Sequence, residues 1–496
     1  MFRQSCATLF LMTYTSKWIA VCFGTTSVMM LVLTAPSNAA TPEVKAEPSS
    51  HLMRYNGRGL FLVGDSGTQC VMQNLNIDYR AWIDDCAEAG LNAIHIWSFM
   101  APRQTRDGKV IEERYGYVYP GITPWARRSD GPAARDGLPQ WNLREFDEGD
   151  DPNKHYWPRV RDLCRYAKEK KLLVGITVFF GWPKHQSDWD RHPFNATNGG
   201  HLTDHRKIIE AVQQIATPGA EVLDQPWSDL WSDPQKTQWL WERFAAKLLK
   251  ETQPPGNVFY IFMDERSYPE GNCGDHFAKF FHRRKAFWID GGGRRENVDA
   301  VVGGHGPGRN INRSARTSFD RDPHRPFFEF ELPPYRGAAV RHNLYACLLG
   351  GGHYFFHNDA NQETPTTGIM SYDPNVQNVR RASVRERLRW LGIACRVMNK
   401  QVKRTPQMRP QNDVVRDVEG YCLIASGSQY VAYIKSGGTA TLQLDHAANT
   451  FDVTAINPRT GEAGDLETSA LENELRLELP DREDWLVVVQ RRHGRR

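Results

Sequence analysis

Two apolar runs in this chain of 496 residues end abruptly in carboxylates. Val258-Phe259-Tyr260-Ile261-Phe262-Met263 breaks into Asp264-Glu265-Arg266, and Phe327-Phe328-Glu329-Phe330-Glu331-Leu332-Pro333 carries two glutamates two positions apart. An unpaired carboxylate in such company costs several kcal/mol to bury, so each needs a partner or a task. Residues two apart share one face of a strand. Glu329 and Glu331 are therefore expected to point the same way, toward the axis of a closed sheet, with Phe328, Phe330 and Leu332 facing outward. The competing task for these glutamates is a structural ion pair with Arg325, Arg336 or Arg341. A carboxyl in a partly apolar pocket beside a second carboxylate has its pKa raised, which suits a general acid. An acid at 264 or 265 facing a carboxylate at 331 across a cleft is the minimal apparatus for breaking a glycosidic bond.

Those carboxylates need a scaffold that brings distant segments together. Apolar runs alternate along the chain with segments whose apolar residues recur every three or four positions, the mark of strands followed by amphipathic helices. Leu60–Gly64, Leu91–Trp97, Leu172–Phe180, Asn257–Met263, Val298–Val302, Pro326–Glu331 and Gly352–His357 read as strands, and one more is expected somewhere in 280–325. Tyr79/Trp82/Ile83/Cys86, Tyr156/Val160/Leu163/Cys164, Trp241/Phe244/Ala245/Leu248, Ala338–Leu349 and Val384/Leu388/Leu391/Cys395 mark helices. Strand–helix repetition demands a parallel sheet. Seven or eight units suit a (β/α)8 TIM barrel, whose catalytic side chains come from the C-terminal ends of several strands. A doubly wound sheet is the alternative, but no GxGxxG follows the first strand. After residue 402 the runs become short and alternating: Tyr421–Ala425, Gln429–Ile434, Ala440–Leu444, Phe451–Ile456, Glu474–Leu479 and Trp485–Gln490. This is the pattern of a small antiparallel β-sandwich. The expected organisation is a leader over 1–39, a barrel over 50–401 and the sandwich over 402–496.

Glu265 ending the fourth strand and Glu331 ending the seventh resemble the acid/base and nucleophile of the clan of retaining (β/α)8 glycoside hydrolases. More closely, the chain resembles the apiosidase-like family that carries a C-terminal collagen-binding-type β-domain. The matching stretches are Leu60-Phe61-Leu62-Val63-Gly64-Asp65-Ser66, Ala89-Gly90-Leu91-Asn92, Asn257-Val258, Pro326 to Pro333, Tyr345 to Gly351 with His357-Asn358, and Asn457-Pro458-Arg459-Thr460-Gly461-Glu462. They run in order through nearly all of the chain after the leader. The clan usually has Asn-Glu on strand four where this chain has Asp264-Glu265, and the nearer family commonly uses an Asp there, so Asp264 rivals Glu265 as the acid. The resemblance implies hydrolysis of a poly- or oligosaccharide without a cofactor.

Other residues suit a carbohydrate cleft. Trp97, Trp182, Tyr268 and Tyr335 offer flat faces for sugar rings, and Trp189, Trp227 and Trp231 lie in a long loop. Asp65, His95, Asp264, Glu329, His357 and Asn358 could hydrogen-bond sugar hydroxyls. His353 and His357, four apart on one strand, are better explained as hydrogen-bonded histidines than as a metal pair, and no metal is expected.

Arg3 and Lys17, an apolar stretch from Trp18 to Ala35, and the small residues Ser37 and Ala39 read as a cleaved signal peptide. The mature protein is then expected to be secreted or periplasmic, with no membrane partner. Of nine cysteines, Cys6 and Cys22 fall in the leader and the other seven are odd in number and widely spaced, which is no disulfide framework. Cys86, Cys164, Cys347 and Cys395 read as buried thiols. With 62 Lys and Arg against 58 Asp and Glu, the chain lacks the positive charge of a nucleic-acid binder. The functional expectation is a two-carboxylate retaining glycosidase. The alternative is a binding protein, for carbohydrate or a matrix protein, built on a barrel that has lost catalysis.

Overall fold

A computed structural model describes residues 18–21, 30–33, 44–46, 50–67, 70–99, 105–106, 109–110, 122–180, 190, 192–200, 239–264, 272–290, 298–303, 310–330, 337–357, 368–375, 381–403, 405–446, 451–466 and 468–492. The chain divides into a short unit, Met1–Pro42, and a large one, Glu43–Arg496. In the short unit Trp18–Val21 pairs antiparallel with Met30–Leu33.

Eight parallel strands close into a barrel in the large unit. They are β1 (Val63–Ser66), β2 (Ala93–Trp97), β3 (Leu173–Phe180), β4 (Val258–Asp264), β5 (Trp288–Asp290), β6 (Ala300–Val302), β7 (Phe327–Glu329) and β8 (Gly352–His357). The strand that periodicity left unplaced is β5, whose three residues are too few to display an alternation. The helices of the ring are α1 (Tyr79–Ala89), α2 (Tyr156–Glu169), α3 (Trp239–Thr252), α4 (Asn272–His282), α5 (Ile311–Arg321), α6 (Ala338–Leu348) and α7 (Arg381–Arg396). Asp78 caps α1 by accepting from the Ala81 N–H, and Gly90 ends it at φ 92°, a left-handed turn that favours glycine.

Each strand sorts its side chains between two cores. Inside the barrel lie Leu62, Ala93, Leu173, Phe259, Ile261, Ile289, Ala300, Phe328, Phe330 and Phe355. Val44 and Met53 join them from the small antiparallel sheet Lys45–Ala46, Met53–Tyr55 and Arg58–Leu60, which closes the end where the strands begin. Val63, Ile94, Val174, Tyr260, Phe327, Tyr354 and Phe356 face the helices. His353 belongs to the inner set near the closed end: its Nε2–H donates to the His51 carbonyl (3.1 Å) and its Nδ1 accepts from the Leu62 N–H (2.9 Å). Burial lowers its pKa to about 3, so the ring stays neutral. His357 is four residues further on, roughly 13 Å away along an extended strand, so the two histidines cannot share an ion.

The C-terminal segment forms two antiparallel sheets. Its strands are β9 (Arg409–Pro410), β10 (Val415–Arg416), β11 (Gly420–Ala425), β12 (Gln429–Ile434), β13 (Thr439–Gln443), β14 (Phe451–Ile456), β15 (Ala463–Asp465), β16 (Thr468–Leu471), β17 (Glu474–Glu478) and β18 (Trp485–Arg491). The larger sheet has the order β9-β11-β12-β18-β14-β15, the smaller β10-β13-β17-β16. Tyr430, Ala432 and Ile434 of β12 pack with Leu442, Leu475 and Leu477 between the two sheets. Val431 and Tyr433 on the opposite face join the core of the barrel helices, where Tyr433 stacks on Tyr345 with ring centres 4.5 Å apart. The larger sheet is thus covered on both sides, and this explains why every residue of β12 is buried.

Cys86, Cys164, Cys347, Cys395 and Cys422 are buried free thiols, as four of them were expected to be. Burial raises their pKa values, that of Cys395 to about 12, so the thiolate reactivity of an exposed cysteine is denied to them.

Candidate active site

The C-terminal ends of the strands gather polar residues above the apolar barrel interior. Ser66, His95, Trp97, Thr177 and His357 line its inner wall. The His95 ring is held at both nitrogens, with Nδ1 3.0 Å from Ser66 Oγ on β1 and Nε2 2.8 Å from Thr177 Oγ1 on β3. Its faces meet Phe330 (4.6 Å between ring centres) and Trp97 (4.9 Å), and Trp97 in turn meets His357 edge-on at 5.5 Å. Burial, and then the neighbouring His357, push the His95 pKa well below the ordinary histidine value. His95 is therefore a neutral ring fixed between two hydroxyls, suited to orienting what lies above it rather than to carrying charge.

Trp97 is 2% exposed, and its indole N–H is a buried donor with no acceptor among the described residues. Ser66 and Thr177 were not singled out by sequence reasoning. The available signal was one polar residue inside an apolar strand, as Thr177 is within Leu173–Phe180.

Two expected site residues face the other way. Phe328 and Phe330 pack inside the barrel, stacked 5.4 Å apart, so Glu329 between them is turned outward with Phe327. It is 2% exposed, and its charge helps raise the pKa values of Cys347 on α6 and Tyr354 on β8. A Cβ added at Gly303 would come within 2.4 Å of Glu329 Oε2, so glycine leaves the room this carboxylate occupies. With Phe at 327, 328 and 330 both faces of β7 are apolar, and alternation alone could not decide which set lines the barrel. The expectation that Glu329 points to the axis is corrected by the packing of the phenylalanines.

Asp65 is also outward. Its Oδ2 accepts from Trp82 Nε1 of α1 at 2.9 Å, and its strand neighbours Ile94 and Phe356 belong to the helix-facing core. An acid fully buried behind the barrel wall ties β1 to α1, which corrects its expected place in a sugar cleft. Ser66, the next residue, holds the inner position instead.

Asp264 is the last residue of β4, paired with Phe180 of β3. Its side chain lies outside the described residues, as do Trp182, Glu265, Tyr268, Glu331, Tyr335 and Asn358. Chain order still fixes their attachment: Glu265 follows the last residue of the fourth strand, and Glu331 comes two residues after the last of the seventh. Among the described residues no group of three or more His, Cys, Asp or Glu side chains is placed to hold a metal ion.

No protein-family model and no curated protein matches the sequence. Solved structures do resemble it. The fold is shared with glycoside hydrolases. A glycoside hydrolase family 5 protein from Bacteroides vulgatus ATCC 8482 superposes with a TM-score of 0.60 at 12% identity, over 90% of this chain and 93% of its own. A second glycoside hydrolase, so described provisionally, from the same organism gives 0.59 at 12% identity, over 97% and 90%. A third protein, described as a glycoside hydrolase, gives 0.52 at 12%, over 91% and 97%. Because the superpositions span nearly the whole of both chains, the likeness extends beyond the barrel. At this identity it speaks for architecture; the chemistry has to come from the side chains.

Proposed function

We propose that the protein is a secreted or periplasmic glycoside hydrolase that cleaves a poly- or oligosaccharide by a retaining, two-carboxylate mechanism. The observation that carries this reading is the strand order. The fourth and seventh strands of one closed barrel lead directly into Asp264-Glu265 and Glu329-Phe330-Glu331, and the C-terminal rim is where such barrels carry their chemistry. The family resemblance of the sequence and the glycoside hydrolases among its structural neighbours support the same reading.

In this scheme Glu265 protonates the departing glycosidic oxygen while Glu331 attacks the anomeric carbon, breaking the C–O bond and forming a glycosyl ester. Glu265, now a carboxylate, takes a proton from water, which attacks the same carbon and releases Glu331. The two carboxyls are expected roughly 5–5.5 Å apart, as retention requires. Trp97, His357 and the Ser66–His95–Thr177 set form the wall against which the sugar is held, with the Trp97 N–H available to a sugar hydroxyl. The apiosidase-like resemblance belongs to this proposal as the nearest family.

Reducing-sugar release from a panel of polysaccharides, by wild type, Glu265→Gln and Glu331→Gln, tests it. Activity that collapses in both variants is expected. Activity surviving Glu265→Gln would move the acid to Asp264. Binding to the same panel without turnover would favour a barrel that only binds.

A further inference from the structure

One connection in the barrel is short. Every other strand-to-strand connection in the barrel includes a helix of at least 11 residues, whereas β5 and β6 are joined by residues 291–299 alone. Nine residues cannot hold such a helix and two turns. Val301, on the outer side of β6, is half-buried, whereas the described residues of β5 and β7 are buried. Beside β6 runs a groove of about 400 Å³, lined by Val301, Val302 and Phe327 at its base and by the polar face of α5.

That face is cationic. Arg313, Thr317 and Arg321 recur every four residues and so lie along one side of α5, with Ser314 and Ser318 next to them. Arg325 completes the wall and is already paired with Asp322 at 3.5 Å. Arg313 and Arg321 are exposed and form no ion pair among the described residues. They stand roughly 12 Å apart along the helix axis. The helix runs antiparallel to the strands, so Arg313 is at the end nearer the barrel mouth and Arg321 at the far end.

We propose that this groove is a second binding site, for a polysaccharide strand bearing carboxylate or sulfate groups, on the flank of the barrel and separate from the cleavage site. Guanidinium groups bind both anions through paired hydrogen bonds, and the hydroxyls between them suit sugar hydroxyls. Two unpaired arginines a dozen ångströms apart fit a polymer with repeated anionic groups better than a single small ion. Among the described residues the groove offers no exposed aromatic ring on which a nucleobase could stack, and the near balance of charge over the chain favours a glycan over a nucleic acid. The inference rests on the carbohydrate reading above only for the class of polymer.

Affinity electrophoresis through gels containing polygalacturonate, a sulfated galactan or a neutral glucan tests it, using full-length Glu331→Gln so that mobility does not depend on turnover. Retardation is expected in one or both anionic gels, with the comparison telling carboxylate from sulfate, and none in the neutral gel. Adding Arg313→Ala and Arg321→Ala should weaken retardation by roughly tenfold or more, the loss expected for charge-assisted contacts. Both positions are exposed on a helix that alanine favours, and an unchanged melting temperature would show the fold intact. Equal retardation with and without the two arginines overturns the proposal, as does its absence from both anionic gels. Equally strong binding of single-stranded DNA at the same salt would also overturn it, as mere polyanion attraction.

Discussion

Arg341 on α6 donates two hydrogen bonds, of 2.8 and 2.7 Å, to the carboxylate of Asp484, 143 positions later and just before β18. Both side chains are buried, and Asp484 also accepts from the Tyr433 hydroxyl at 2.7 Å. Burial alone would raise the Asp484 pKa; the bonds from Arg341 and Tyr433 and the guanidinium charge outweigh it and hold it below the ordinary carboxylate value. The pair joins the barrel to the β-domain where water cannot replace either partner. Asp484→Ala should cost about 3–5 kcal/mol, because Arg341 is left as a buried charge without its partner. Urea unfolding measures this. A double substitution of both residues by apolar ones of similar size should recover much of the loss, and no recovery would contradict this assignment.

Stability should fall as the solution becomes acidic. Burial depresses the pKa of His51 to about 4, of His192 and His353 to about 3, and that of His95 well below the usual value. The unfolded chain takes up protons on these rings as pH falls through about 6.5, while the folded chain does not. Their contribution is therefore complete above that pH and diminishes below it, each ring costing on the order of 1 kcal/mol per pH unit. Urea midpoints should hold between pH 7.5 and about 6.5 and decline from there to pH 4.5, and a profile flat throughout would contradict the buried, neutral assignment.

Glu329 and Glu331 are expected to differ in kind. Glu329 is buried behind the barrel wall, so Glu329→Gln should lower the melting temperature while kcat/KM, measured well below it, changes by less than about tenfold. Glu331→Gln should leave the melting temperature nearly unchanged and abolish turnover. The reverse pattern would exchange their roles.

Trp97→Phe removes a buried N–H that has no acceptor among the described residues. It should cost little stability, and less than Trp97→Ala, which opens a cavity worth about 3–5 kcal/mol. If that N–H meets a sugar hydroxyl, Trp97→Phe should raise KM by roughly tenfold, the worth of one hydrogen bond. An unchanged KM would assign Trp97 to packing.

The barrel was legible because its long strands are nearly continuous apolar runs and its helices carry apolar stripes, as in β3 and α2. Six of the C-terminal strands were placed to within a residue or two because runs such as Ala440/Leu442 and Leu475/Leu477 alternate cleanly, whereas the short Arg409–Pro410, Val415–Arg416, Ala463–Asp465 and Thr468–Leu471 were not. What escaped was short or ambiguous. Three-residue β5 shows no period, and α5, with only Ile311, Asn312 and Ala315 buried, has too thin an apolar stripe to stand out. The facing of Asp65 and Glu329 was misread because Val63-Gly64-Asp65-Ser66 and Phe327-Phe328-Glu329-Phe330 offer apolar or small residues on both sides of the strand. Only the hydrogen bond from distant Trp82 for one, and the packing of Phe328 and Phe330 inside the barrel for the other, reveal which face is which.

Azide rescue of Glu331→Gly tests the two-carboxylate site most directly. On an activated aryl glycoside of whichever sugar the wild type cleaves, the variant should be inactive. Added azide should restore turnover by entering where the carboxylate attacked, giving a glycosyl azide of inverted configuration, while the wild type releases a hemiacetal of retained configuration. Wild-type turnover by Glu331→Gly without azide, or an inverted first product from the wild type, would contradict the retaining mechanism with Glu331 as its nucleophile.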